Sequence, residues 1–190
     1  MTSGASRTLS VYLENPGEGA GLFFQSPPAW LGLAGFFFGG ANYYVAAALA
    51  GAGHFSVAGF IASGLLHVAA GFFLSAWLNM ILEVLGGGGR ALDLFNLLGA
   101  ADCVWALALP LSLCARLLWP LGSVEALVAI GAVWVTRFIL QAKFVKEGYR
   151  VSWGKSLFAL LSPVIILFLL LLIAVGALVG AAVIALTRHF

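Results

Sequence analysis

LFALLSPVIILFLLLLIAVGALVGAAVIAL, residues 157–186, runs for thirty positions without a single Asp, Glu, Lys or Arg. A helix needs ~20 such residues to cross a hydrocarbon core of about 30 Å, because each residue rises only ~1.5 Å. The run therefore reads as a transmembrane segment. It is longer than one crossing requires, so the part ahead of Pro163 is read as interfacial or tilted and the crossing is placed at about 164–186.

Outside this segment the pattern repeats. The chain of 190 residues holds nine Lys and Arg and seven Asp and Glu, or 8% charged residues. A soluble domain carries about 25%. Hydrophobic residues make up 63% and no stretch is left for a separate soluble domain. Lipid offers the backbone no hydrogen bonds, so apolar runs of this length are satisfied only as helices. The expected fold is an all-α integral membrane bundle. A net charge of +2, spread thinly, leaves no basic face for nucleic acid.

Five spans follow from the breakers. Residues 1–29 are polar, then rich in Gly and Pro, and read as an interfacial segment; Arg7, Glu14, Glu18 and three prolines there do not fit a cleaved signal peptide. Residues 30–190 read as the membrane domain. From Trp30 to Leu85 the chain is apolar for too long to cross once, and Gly51-Ala52-Gly53-His54 divides it into spans at about 30–51 and 56–84. Gly86-Gly87-Gly88-Gly89 ends the second, since glycine disfavours helix. Span three, about 91–117, is interrupted by Pro110. Trp119-Pro120-Leu121-Gly122-Ser123 reads as a turn before span four, about 124–143, and a basic loop from Lys143 to Lys155 precedes the last span. With the N-terminus cytoplasmic and the C-terminus outside, Arg7, Arg90, Lys143, Lys146, Arg150 and Lys155 lie inside against Arg116 and Arg188 outside. That distribution sets the expected orientation, as in a bacterial cytoplasmic membrane.

Two junctions resemble a known family. Asn79-Met80-Ile81-Leu82-Glu83-Val84-Leu85-Gly86-Gly87, followed by Arg90 and an apolar helix with Pro110, is similar to the span-two to span-three junction of the Ypt-interacting-protein (YIP) family. Val133-Trp134, Gly148 and Ser152-Trp153-Gly154-Lys155-Ser156 ahead of Pro163 look like its fourth span and the Gly…Ser-x-x-Lys entry to its fifth. The resemblance covers roughly residues 70–186, marks Gly86, Gly87, Ser152 and Lys155 as junction residues, and implies five spans with a cytoplasmic N-terminus. The Asp-Leu-Tyr-Gly-Pro signature of the Rab-associated members is missing, so the resemblance is to the short prokaryotic-type members.

Polar residues inside the spans are the candidate sites. His67, Gly71, Ser75, Asn79 and Glu83 recur every four residues in span two, either as a packing stripe or as a polar track. Asp102, about eleven residues into span three, falls near mid-bilayer, where a carboxylate must be paired, neutral or lining water. Arg137 in span four, with Gln141 on its side, is the expected counter-charge, with a snorkelling reach toward Glu83 as the alternative. Asn79, Glu83, Asp102 and Arg137 form the candidate polar network. Gly35 with Gly39, and Gly176 with Gly180, have the Gly-x-x-x-Gly spacing that lets helices approach closely, within the bundle or between subunits.

No nucleophile, base and orienting carboxylate fall at one depth, and the His and Cys residues lack ligand spacing, so no enzyme, cofactor or metal is expected. Two classes of function remain. One is a non-enzymatic adaptor, membrane-organising protein or accessory subunit that packs against another membrane protein or itself. The other is a small transporter or channel built around Asp102, Arg137, Glu83 and His67.

Overall fold

The structure, a computed structural model, describes residues 29–51, 53–118 and 123–187. Along them run α1 (Ala29–Leu49), α2 (Val57–Val84), α3 (Ala91–Asp102), a 3-10 turn (Cys103–Leu107), α4 (Ala108–Leu118), α5 (Ser123–Tyr149) and α6 (Trp153–Thr187). Among the described residues there is no strand. Four helical stretches, Val57–Val84, Ala91–Ala115, Leu127–Tyr149 and Trp153–Val179, are long and apolar enough to cross a membrane. The protein is a multi-pass helical membrane protein. The expected interfacial segment lies, apart from Ala29, outside the described residues, as do Arg7, Arg188 and most of the turn at 119–123.

Local chemistry explains the helix ends. Ser56 caps α2, its hydroxyl accepting from the Gly59 amide at 3.0 Å, while the Tyr44 hydroxyl donates to the His54 carbonyl at 2.9 Å and ties α1 to the turn. At the other end of α2, Gly86 adopts φ +82, and the Gly87 and Gly86 amides return to the Leu82 and Glu83 carbonyls at 2.8 and 3.0 Å. This double closure needs a left-handed residue, which glycine supplies without a Cβ clash. Lys155 completes it from the start of α6, its Nζ donating to the Leu85 carbonyl at 2.6 Å. The four junction residues therefore meet in one place, with the Ser152 hydroxyl receiving the Lys155 amide at 3.4 Å.

One boundary differs from expectation. α5 continues past 143 to Tyr149, so the basic loop from Lys143 to Lys155 is mostly helix and the connection shrinks to residues 150–152. Arg150 turns the chain there with φ +52, and the Val151 amide closes on the Lys146 carbonyl at 3.1 Å. Span three is broken by the 3-10 turn just ahead of Pro110, which has no amide hydrogen for the Ala106 carbonyl and so sits in the first turn of α4, where none is required. Conversely, Pro163 does not interrupt α6. The Ser162 hydroxyl donates to the Ala159 carbonyl at 2.6 Å, replacing the hydrogen bond that Pro163 cannot make. The segment before Pro163 is thus a packed part of α6, with Ser156, Ala159, Leu160 and Ser162 buried.

The core gathers Phe36 of α1, Leu78 and Leu82 of α2, Leu94, Phe95 and Leu98 of α3, Ala142, Val145 and Tyr149 of α5, and Ala159 and Leu160 of α6. α1 lies along α2 and α3, and α4 against α5. Close approach needs small residues: a Cβ added at Gly35 would fall 1.9 Å from the Gly99 carbonyl oxygen, so the α1 and α3 backbones touch there. α6 behaves differently. Beyond Ile166, every residue from 167 to 179 is exposed on all sides of the helix.

Candidate functional site

Asp102 is the last residue of α3, where the α-helix tightens into the 3-10 turn, and its side chain is 0% exposed. It is reached from two other helices. Arg137 of α5 donates through Nε to Oδ1 at 2.5 Å and through Nη2 to Oδ2 at 3.2 Å, a two-pronged ion pair. Gln141, one turn further along the same face, donates through Nε2 to Oδ1 at 3.2 Å. His67 of α2 places Nε2 3.0 Å from Oδ2. Two acceptor atoms thus take four contacts, and none of the carboxylate faces water or lipid.

Glycines in α1 make this convergence possible. A Cβ at Gly39 would lie 3.1 Å from the Cβ of Asp102, and one at Gly40 would lie 2.4 Å from that of His67. Larger residues would hold α2 and α3 away, and the carboxylate would lose its partners. The ring of Phe36 lies 6.2 Å from that of His67 and 4.9 Å from that of Phe95, so the polar centre is bordered by aromatic packing. His67 itself is 29% exposed, on the outer side of the centre.

Asn79 and Glu83 do not join this group. They sit toward the other end of α2, Glu83 being sixteen residues and ~24 Å along the helix from His67. Asn79 Nδ2 donates to Glu83 Oε1 at 2.6 Å, and the Tyr149 hydroxyl donates to Asn79 Oδ1. The Arg90 carbonyl is 3.3 Å from that hydroxyl, and the Arg90 guanidinium holds Asp93 through two hydrogen bonds of 2.8 and 3.0 Å. The candidate polar network is therefore two clusters, one central and one at the junction end, where Lys155 also caps α2. His67, Asp93 and Tyr149 complete them. The four-residue spacing drifts ~40° per step and separates His67 from Glu83 but says nothing about Asp102, thirty-five residues away; Asp93 carried one available signal, an acidic residue in the first turn of a helix, three residues after an arginine.

The glycine pairs divide in the same way. Gly35 and Gly39 face α3 inside the bundle, whereas a Cβ at Gly176 would meet nothing within 4 Å. Gly180 lies in α6 four residues on, its surroundings outside the described residues.

Chemically, the central cluster can hold α2, α3 and α5 in register. A neutral Asp102–Arg137 pair has no net charge, and its hydrogen bonds offset the desolvation of each ion. No group of three or more His, Cys, Asp and Glu residues that could hold a metal ion occurs among the described residues. Comparison of the chain with family models, with curated proteins and with solved structures finds no match.

Proposed function

We propose that this is a five-span membrane protein, N-terminus cytoplasmic and C-terminus outside, that acts without catalysis or transport by packing α6 against another membrane protein or a second copy. The cytoplasmic membrane of a bacterium is the setting that fits it, and the likeness of the junction residues to the YIP family is consistent with the same reading. Five spans are supported by α1, whose 21 residues carry no charge and extend ~31 Å. The orientation is supported by Arg90, Lys143, Lys146, Arg150 and Lys155, which all fall at the end of the bundle where α2 stops and α6 begins.

One observation carries the association reading: residues 167–179 are all exposed, none of them buried against the described residues of their own chain. A bundle helix buries at least one stripe against its neighbours. This one buries none over ~20 Å. Gly176 sharpens the point, because glycine in a helix costs roughly 1 kcal/mol relative to alanine and no contact among the described residues uses the missing side chain. Close approach of a second helix would use it. A transport pathway finds less support, since Asp102 is enclosed and every oxygen of it is engaged.

The test is Gly176→Leu with Gly180→Leu, compared with wild type in native membranes. Loss of a co-purifying membrane protein or homo-oligomer, with expression and thermal stability unchanged, is the expected result. Proton or ion flux through purified protein in liposomes that disappears in Asp102→Asn would replace this reading with a transporter.

A further inference from the structure

Between α2 and α6 lies a groove of about 250 Å³, lined by Trp77, Pro163, Ile166, Leu167 and Leu170. Its wall is apolar, and its head is fixed: Trp77 Nε1 donates to Ser162 Oγ at 2.9 Å, and that hydroxyl donates on to the Ala159 carbonyl. The two helices run antiparallel from the junction, where Lys155 Nζ reaches the Leu85 carbonyl. Trp77 is eight residues before Leu85 and Pro163 eight after Lys155, so the groove begins ~12 Å from that ammonium on both helices. At 100° per residue, Lys155, Ser162, Ile166 and Leu170 fall within ~80° of one another on α6. The cation and the groove therefore share one seam.

That seam has the dimensions and chemistry of a phospholipid. A lysine ammonium has three donors and only one is used on Leu85. The end of the bundle above the groove carries Lys143, Lys146, Arg150 and Lys155 against Glu147, whose carboxylate is taken by Lys146 at 2.8 Å. Glu83, on α2, is held by Asn79 and lies six residues from Trp77, ~120° around the helix and off the seam. Trp153, 44% exposed with Lys146 Nζ 5.4 Å from its ring, stands at the level where a headgroup would lie.

We propose that the α2–α6 seam binds one acidic phospholipid, its phosphate at Lys155 and one acyl chain along Trp77, Ile166, Leu167 and Leu170. Charge complementarity selects the acidic headgroup, and the apolar groove selects a chain-bearing molecule over a free phosphate. The site does not depend on which membrane face the junction occupies.

Native mass spectrometry of the full-length detergent-solubilised protein, titrated separately with phosphatidylglycerol and phosphatidylcholine of equal chain length, reads this directly. The expected result is preferential retention of phosphatidylglycerol, with Lys155→Gln reducing its apparent affinity about five-fold and leaving phosphatidylcholine unchanged. Leu170→Trp, which fills the groove, is expected to lower retention of both lipids, whereas Leu172→Trp, on the opposite side of α6, is expected to leave both unchanged. Thermal unfolding of each variant separates loss of the site from loss of the fold; if Lys155→Gln unfolds, Lys155→Arg, which keeps the charge and a donor to Leu85, should retain the preference. Equal retention of the two lipids, identical behaviour of the two tryptophan variants, or loss of a dimer in place of a lipid in Leu170→Trp would each overturn the proposal.

Discussion

Asp102 is the residue on which most of the polar chemistry inside the bundle depends. Burying one charge without its partner is strongly unfavourable, whereas removing both ions leaves only a packing defect. Asp102→Asn and Arg137→Gln are each expected to destabilise the protein by about 3–5 kcal/mol, with the double variant milder than the sum of the two. A double-mutant cycle on thermal unfolding in detergent checks this; additive losses would show that the 2.5 Å contact carries no energy. Gly35 offers a second test at the same scale. Even alanine would drive its Cβ into the Gly99 carbonyl, so Gly35→Ala should fail to fold while Gly176→Ala folds normally or gains stability, read by size-exclusion chromatography and thermal unfolding. Of this centre, the sequence made Asp102 and Arg137 visible, because charges within apolar runs are conspicuous. His67 joins them in the sequence only through the transporter reading; that its ring reaches Asp102 depends on the α1 glycines, which decide how near α2 comes to α3, and that is a tertiary fact.

At the scale of single elements, α6 shows how far a proline rule reaches. Pro163 removes one amide donor, which argues for a helix break, yet Ser162 supplies a hydroxyl donor to the same carbonyl and Trp77 orients that hydroxyl. Sequence shows the proline; only packing shows the substitute donor. Ser162→Ala should therefore leave the Ala159 carbonyl and the Trp77 indole unpaired, costing about 1–3 kcal/mol for each group left unsatisfied and kinking α6 at Pro163. Thermal unfolding together with a spin-label distance from residue 157 to residue 172 tests it, and an unchanged distance and midpoint would contradict it. The Gly86 closure was more legible, since four glycines after an apolar helix invite a left-handed stop. Its complement, Lys155 on the Leu85 carbonyl, spans seventy residues and was not. Arg150 was equally hidden: nothing in its chemistry announces φ +52, and Arg150→Gly should gain up to about 1 kcal/mol in the same unfolding assay.

Seen whole, the molecule has a packed bundle around Asp102 and a helix that leaves it. α6 extends ~52 Å, well beyond the ~30 Å of a hydrocarbon core, and residues 167–179 lie exposed beyond its packed first part. Residues 167–179 are the proposed association surface. A photo-cross-linking scan, with a photoreactive residue placed in turn at each of these thirteen positions in native membranes, tests it most directly. Protein adducts are expected to recur every three to four residues, on the face carrying Gly176, and to vanish with Gly176→Leu. Cross-linking to lipid alone at every position would contradict it.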